Sequence, residues 1–278
     1  MPRGKQGNAN EKWRIIDRQS DVVAYEHSFL RGQRIMMIYP FNTTHILMII
    51  LMPVLIFTVI NIALSKREEK TMATVLLLIS AFNAGLYIVY KFAQVADPNF
   101  HFDLLTNLPL HFCNINLILI PLAIYTKNKT LMAYQVYFGT PLAGLALITV
   151  YPAFIGTSIF GFTTFVYFFY HSMLFAIPLI LIKLRLFTPS FKNILQPTLM
   201  LVALTFFMHM FNVVLRATGL AYGANYFFTF GLEGDFFTEL LWGIIPFNFF
   251  FLLPSLLLFA PYVLIITLPF HLSAKARQ

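Results

Sequence analysis

The chain's one cysteine, Cys113, sits in the stretch NLPLHFCNINLILIP (107–121), an apolar run broken near its start by Asn107, His111, Asn114 and Asn116. A cysteine becomes a nucleophile when a base takes its proton, and histidine is the usual base. Polar groups in a hydrocarbon surrounding are costly without partners, so their gathering here marks a functional region. If the stretch is helical, positions 111 and 113 point to nearly opposite sides. His111 then shares a stripe with Asn107 and Asn114, Cys113 shares one with Asn116, and the base for Cys113 must come from another segment. Pro109, just ahead, suits a helix start. The free N–H groups and dipole of such a terminus favour a thiolate and equally suit an oxyanion.

The elements that must carry these residues follow from composition. Of 278 residues, 59% are hydrophobic and 11% charged, against roughly 25% charged in soluble domains; the mean hydropathy is +0.75. The fold class is therefore all-α, a polytopic membrane protein. Seven transmembrane helices are expected, at 46–64, 71–90, 110–125, 131–150, 162–186, 195–215 and 240–270. The last is long and carries Pro246, Pro254 and Pro261, so it should kink. An eighth span would need this segment split into pieces too short to cross. Three regions result: a basic N-terminal tail (1–44), a seven-helix membrane domain (45–270) and a short basic C-terminal tail (271–278). In the first tail, Ile15, Val22, Tyr25 and Phe29 recur at helical spacing, which fits a helix lying on headgroups as well as a solvated tail. Residues 1–34 lack the apolar core of a cleavable signal peptide.

The net charge of +8 reads as loop orientation and headgroup contact, not nucleic-acid binding. Loops 65–70, 126–130 and 183–194 hold eight basic residues, whereas loops 91–107, 151–161 and 216–239 hold only Lys91 and Arg216. That places the C-terminus in the cytoplasm and the N-terminus outside a cell membrane; the basic tail argues the other way. A retinal protein is excluded, because its Schiff base needs a lysine in the last span and 240–270 has none.

With the spans placed, further polar residues fall at the same end as Cys113. His171 interrupts FVYFFYHSMLFAI nine residues into the fifth span. Its depth suits a base for Cys113, so the two are expected to face each other with His111 turned aside. His45 lies at the mouth of the first span, and His209 with Asn212 near the end of the sixth. Asn225 and Tyr226 head the 225–239 loop, which should close the mouth. Asp97, Asp103, Glu233, Asp235 and Glu239 lie on or beside loops on that side. A lone buried cysteine is also a common inert side chain, and a lone histidine within a membrane is often an interhelix hydrogen-bond partner.

The strings LPLHFCNINLILIPLAI, TKNKTL, YHSMLFAIPLIL and GANYFF, with YPFNTTHILMI opening the first span, resemble the YwaF-like integral membrane family of bacteria. The likeness covers about residues 39–259, and Phe112 stands where Leu is commoner. Animal relatives of that family include a membrane acyltransferase that makes ether phospholipids through a proposed cysteine and histidine. The resemblance places those two roles at Cys113 and His171.

Three function classes follow. The first is a lipid acyltransferase or acyl hydrolase, with Cys113 and His171 catalytic and no cofactor. Its partners are membrane lipids, a phospholipid or lysophospholipid substrate. His111 and Asn114 would hold the ester or headgroup, with Asn107, Asn116, His45, His209, Asn212, Asn225 and Tyr226 also around the substrate. The second is a metal-dependent hydrolase using His45, His111, His171 and His209 with an acid such as Asp103, although no H-x-x-x-H spacing occurs. The third is a transporter or receptor with a His-lined pocket, which needs no thiol. Oligomeric state leaves no mark in the sequence.

Overall fold

The computed structural model describes residues 36–96, 103–150, 152–230 and 236–276. The basic tail before residue 36 and the acids Asp97, Glu233 and Asp235 lie outside them. The helices are α1 (Thr43–Leu64), α2 (Glu69–Val95), α3 (Phe112–Thr126), α4 (Lys129–Thr149), α5 (Phe162–Lys183), α6 (Leu195–Ala217), α7 (Phe236–Ile244) and α8 (Ser255–Lys275). No strand occurs among the described residues beyond one isolated bridge between Met37 and Ser158. Six helical segments are long and apolar enough to cross a membrane, containing α1, α2, α4, α5, α6 and α8; α3 is apolar but only 15 residues long. The protein is an all-helical, multi-pass membrane protein.

Helix α5 stands in the middle of the bundle; lipid accepts an apolar helix face as readily as protein does, and what marks α5 is the polar Thr164, His171 and Ser172 that it buries. Buried residues make up 72% of its apolar window and 61% of that of α4, against 11% for α1 and 22% for α2. It packs against α1, α2 and α4, while α2 also lies along α3. The outer helices turn Ile50, Leu55, Ile62, Ile88, Phe92, Phe207 and Ile265 outward, the dress of a lipid-facing surface.

The segment expected as one long kinked span is instead broken in two. Helix α7 stops at Ile244, two residues before Pro246, because the residue preceding a proline is driven out of the helical region. Phe249 then adopts a left-handed φ of 66°, a short 3-10 turn covers Phe250–Leu252, and Pro254 sits immediately before α8. Pro261 is tolerated inside α8. Nine residues of α7 reach only ~13 Å, too short to cross ~30 Å of hydrocarbon.

Within α4, Gln135–Gly139 forms a π-helical stretch. Two carbonyls of this stretch accept side-chain bonds: Thr140 Oγ1 donates to Gln135 O (3.2 Å), which also takes the Thr140 N–H, and Tyr262 Oη of α8 donates to Val136 O (3.0 Å). The Gln135 amide donates through Nε2 to Asn116 Oδ1 at 3.1 Å, tying α4 to α3. A Cβ at Gly139 would meet Gln135 Oε1, so a side chain there requires the Gln135 carboxamide to move.

Candidate functional site

A cavity of about 340 Å3 is lined by the C-terminal ends of α2 and α4, the N-terminal halves of α3, α5 and α6, and the start of α8. That volume lies at the lower end of the ~300–1,000 Å3 typical of small-molecule sites. Cys113 and His171 both line it, with His111, Asn107 and Asn114.

Helix α3 delivers Cys113. His111 is its N-cap, with φ −71° and ψ 161°, and its side chain makes no capping bond. The first-turn N–H groups of Phe112, Cys113 and Asn114 have no acceptor within the helix. They lie beside the thiol, where they suit a developing oxyanion. The backbone at 111 is extended, outside the helical register that would set His111 opposite Cys113. The two-residue offset applies only when both residues are helical, and His111 precedes the helix, so both side chains reach the cavity.

Helix α5 delivers His171, which is buried. Its Nδ1 lies 2.9 Å from Tyr167 O, one turn earlier. Neutral imidazole donates from one nitrogen only, so this bond places the proton on Nδ1 and leaves Nε2 as an acceptor. The ring packs against Tyr167 and Tyr170 at centroid distances of 4.3 and 4.0 Å, and Tyr170 meets Tyr87 of α2 edge-on at 5.3 Å. An aromatic wall thus fixes the imidazole between α2 and α5.

Two loops roof the cavity, and Tyr226 joins them. Its hydroxyl donates to Leu105 O at 2.6 Å and accepts the Leu108 N–H at 3.1 Å. Burial pushes this hydroxyl above the ordinary tyrosine pKa, with the Leu108 bond pulling the other way, so the phenol remains a donor at neutral pH. Asn212 holds the same loop from below. Its Nδ2 donates to Tyr226 O (2.8 Å) and Thr229 Oγ1 (2.9 Å), and its Oδ1 accepts the Tyr226 N–H (3.0 Å). Asn225 Oδ1 accepts the Phe230 N–H at 2.8 Å. The rings of Tyr226 and Phe228 pack on His111 at 5.4 and 5.0 Å, and Phe227 stacks on Phe112 at 3.6 Å. Phe227, Phe228 and Phe249 have φ of 60°, 56° and 66° and all line the cavity. A left-handed bulky residue costs on the order of 1–3 kcal/mol, and such strain gathers at functional sites.

The other expected site residues lie elsewhere. His45 is fully buried with both nitrogens bonded: Nδ1 accepts the Phe41 N–H at 3.0 Å and Nε2 donates to Leu147 O at 2.8 Å. It pins α1 to α4 and is absent from the cavity wall. Asn116 is one turn too deep and serves Gln135. Asn212 spends its amide on the roof. His209 stacks on Phe230 at 4.8 Å, with Nδ1 buried and unpartnered among the described residues. The four histidines therefore do not converge on one centre. Among the described residues no three His, Cys, Asp or Glu side chains gather as metal ligands.

Tyr87, Tyr90, Lys91 and Gln94 also line the cavity and are not among the residues expected from the sequence. Their spacing of i, i+3, i+4 and i+7 is one face of a helix, a signal masked because a lysine near the end of a span resembles a loop charge. Lys91 Nζ lies 5.9 Å from both the Tyr87 and Tyr90 ring centroids. Gln94 Nε2 donates to Tyr90 Oη at 2.7 Å.

No curated protein and no solved structure matches the chain. A family does match, over nearly the stretch that carried the bacterial resemblance and likewise without the basic tail. Residues 40–267 fit the model of the TMEM164 family, and the chain belongs to that family of membrane proteins.

Proposed function

We propose that this protein is a membrane lipid acyltransferase or acyl hydrolase acting through Cys113 and His171. The observation that carries the reading is that a lone cysteine and a tautomerically fixed histidine, from different helices, line one cavity. The resemblance to the YwaF-like family, through that family's animal acyltransferase relatives, implies the same two positions.

The chemistry runs in two balanced halves. As Cys113 Sγ attacks an ester carbonyl carbon, its proton passes to His171 Nε2, and the carbonyl oxygen becomes the oxyanion before the α3 N-terminus. The ester C–O bond breaks, and the leaving lysolipid oxygen takes the proton from His171. In the second half an acceptor hydroxyl, from a lysolipid or from water, gives its proton to Nε2 and attacks the thioester. The thiolate leaves and recovers the proton. Passing the proton as bonds form avoids an isolated charge in an apolar site. Membrane lipids reach such a cavity from the leaflet at whose level it lies.

The test is lipid mass spectrometry on purified protein in phospholipid vesicles supplied with lysophospholipid. Acyl exchange by the unaltered chain and its loss in Cys113→Ala support the reading. Unchanged exchange in Cys113→Ala rejects it.

A further inference from the structure

Lys91 is placed the wrong way round for a lysine that merely anchors a helix at the membrane surface. An anchoring lysine extends along the lipid face and carries its ammonium out to water. On α2 the lipid face near this end belongs to Ile88, Val89 and Phe92, all exposed, while Lys91 lines the internal cavity. Its ammonium rests above the rings of Tyr87 and Tyr90, 5.9 Å from each centroid. Such rings steady a cation without using its N–H donors.

A half-buried ammonium calls for an anion, and none pairs with it among the described residues. The ion pair described there is Lys127–Glu69, at the opposite ends of α2 and α3. Two further polar atoms beside the cavity are buried and unpartnered: Gln94 Oε1, one turn beyond Lys91, and His111 Nδ1.

Polarity in the cavity is graded by depth. Lys91 lies four residues from the end of α2 at Val95, about 6 Å along the axis. Leu201 lies sixteen residues from the end of α6 at Ala217, about 24 Å along. Phe259 lines the same end, its ring 6.0 Å from that of Phe138, which lies eleven residues from the end of α4 at Thr149, about 16 Å along. The cavity is thus shaped for a molecule with an anionic head and a hydrocarbon tail.

We propose that Lys91 binds the phosphate of a phospholipid or lysophospholipid headgroup and makes the site selective for phosphate-bearing lipids. A phosphate oxygen accepts one or more Nζ–H bonds, and its charge neutralises the ammonium inside the wall. The tail then runs toward Leu201 and Phe259, past Cys113. Delivery of an ester to Cys113 rests on the acyl-transfer reading; the phosphate contact does not.

The experiment uses full-length Cys113→Ala protein in detergent micelles, so that no turnover consumes the probe. Two radiolabelled single-chain probes of equal chain length are compared, lysophosphatidylcholine and monoacylglycerol, which differ in the phosphocholine. Tighter binding of lysophosphatidylcholine is expected, weakened about tenfold or more by Lys91→Met and largely retained by Lys91→Arg, with monoacylglycerol unaffected. Equal affinity for the two probes before any change at Lys91 overturns the proposal, and that comparison stands even if Lys91→Met fails to fold. Equal loss of both probes in a folded Lys91→Met also overturns it. Glycerol 3-phosphate separates the sources of phosphate: displacement of lysophosphatidylcholine by it at low millimolar concentration would assign a soluble phosphate ester and defeat the lipid assignment. A chain that binds through phosphate yet transfers no acyl group defeats only the catalytic reading. One that transfers acyl groups equally well as Lys91→Met defeats only this one.

Discussion

The imidazole of His171 and the carbonyl of Tyr167, one turn apart on α5, share a hydrogen bond of 2.9 Å. A carbonyl that would ordinarily serve only the helix ladder thereby also selects the tautomer of the candidate base. Replacing His171 with Ala should lower acyl transfer by about 10²–10⁴-fold. The double variant with Cys113→Ala should lose little more than either single change, since residues acting as one unit are not additive. Steady-state rates for the four proteins check this; losses that multiply would separate the two residues.

Cys113→Ser should also lose most turnover, because a serine hydroxyl gives up its proton far less readily than a thiol. Rapid denaturation during turnover should trap an acyl group on Cys113, visible as a mass increment on its peptide and missing from Cys113→Ala. A labelled peptide elsewhere in the chain would move the nucleophile.

His45 serves as a contrast. Its ring bridges Phe41 N–H and Leu147 O away from the cavity. His45→Ala should leave two polar backbone groups unmatched and cost on the order of 1–3 kcal/mol of stability. Turnover per folded molecule should stay near that of the unaltered protein. A thermal melt in micelles, paired with activity normalised to folded fraction, separates the two effects; normal stability with lost activity would return His45 to the site.

Orientation is the fourth expectation, with the cavity end facing out and the C-terminus inside. Single cysteines at Ser158 and Asn128 in Cys113→Ala protein should divide accordingly, the first labelled by an impermeant reagent on intact cells and the second only after lysis. The reverse pattern inverts the molecule.

Helix placement was largely legible because membrane spans advertise themselves by length and apolarity: α1, α4 and α5 begin within three residues of where the sequence puts them. The last segment was not. Its uninterrupted apolarity hides a break imposed by Pro246, Phe249 and Pro254, and composition alone does not tell a kink from a separation. At the cavity, the polar start of α3 was visible as chemistry out of place. The direction of His111 was not, since it depends on a single N-cap residue leaving the helical region. Lys91 was hidden differently: its stripe with Tyr87, Tyr90 and Gln94 was there to be read, but a lysine near a span end looks like a loop charge until packing shows which face turns inward. Asn116 and Asn212 drew attention for the right reason, intramembrane polarity, and spend that polarity on bracing the helices and the roof.

The π-helical stretch also constrains how this sequence can drift. Gly139 is bare because the Gln135 carboxamide occupies the space a Cβ would need, and Gln135 is held there by Asn116. A lineage that first gains a side chain at 139 meets that amide head-on, whereas one that first shortens 135 opens the space and can then accept alanine at 139. The two positions are therefore coupled. Homologues with a small residue at 135 should be the ones in which 139 is free to vary.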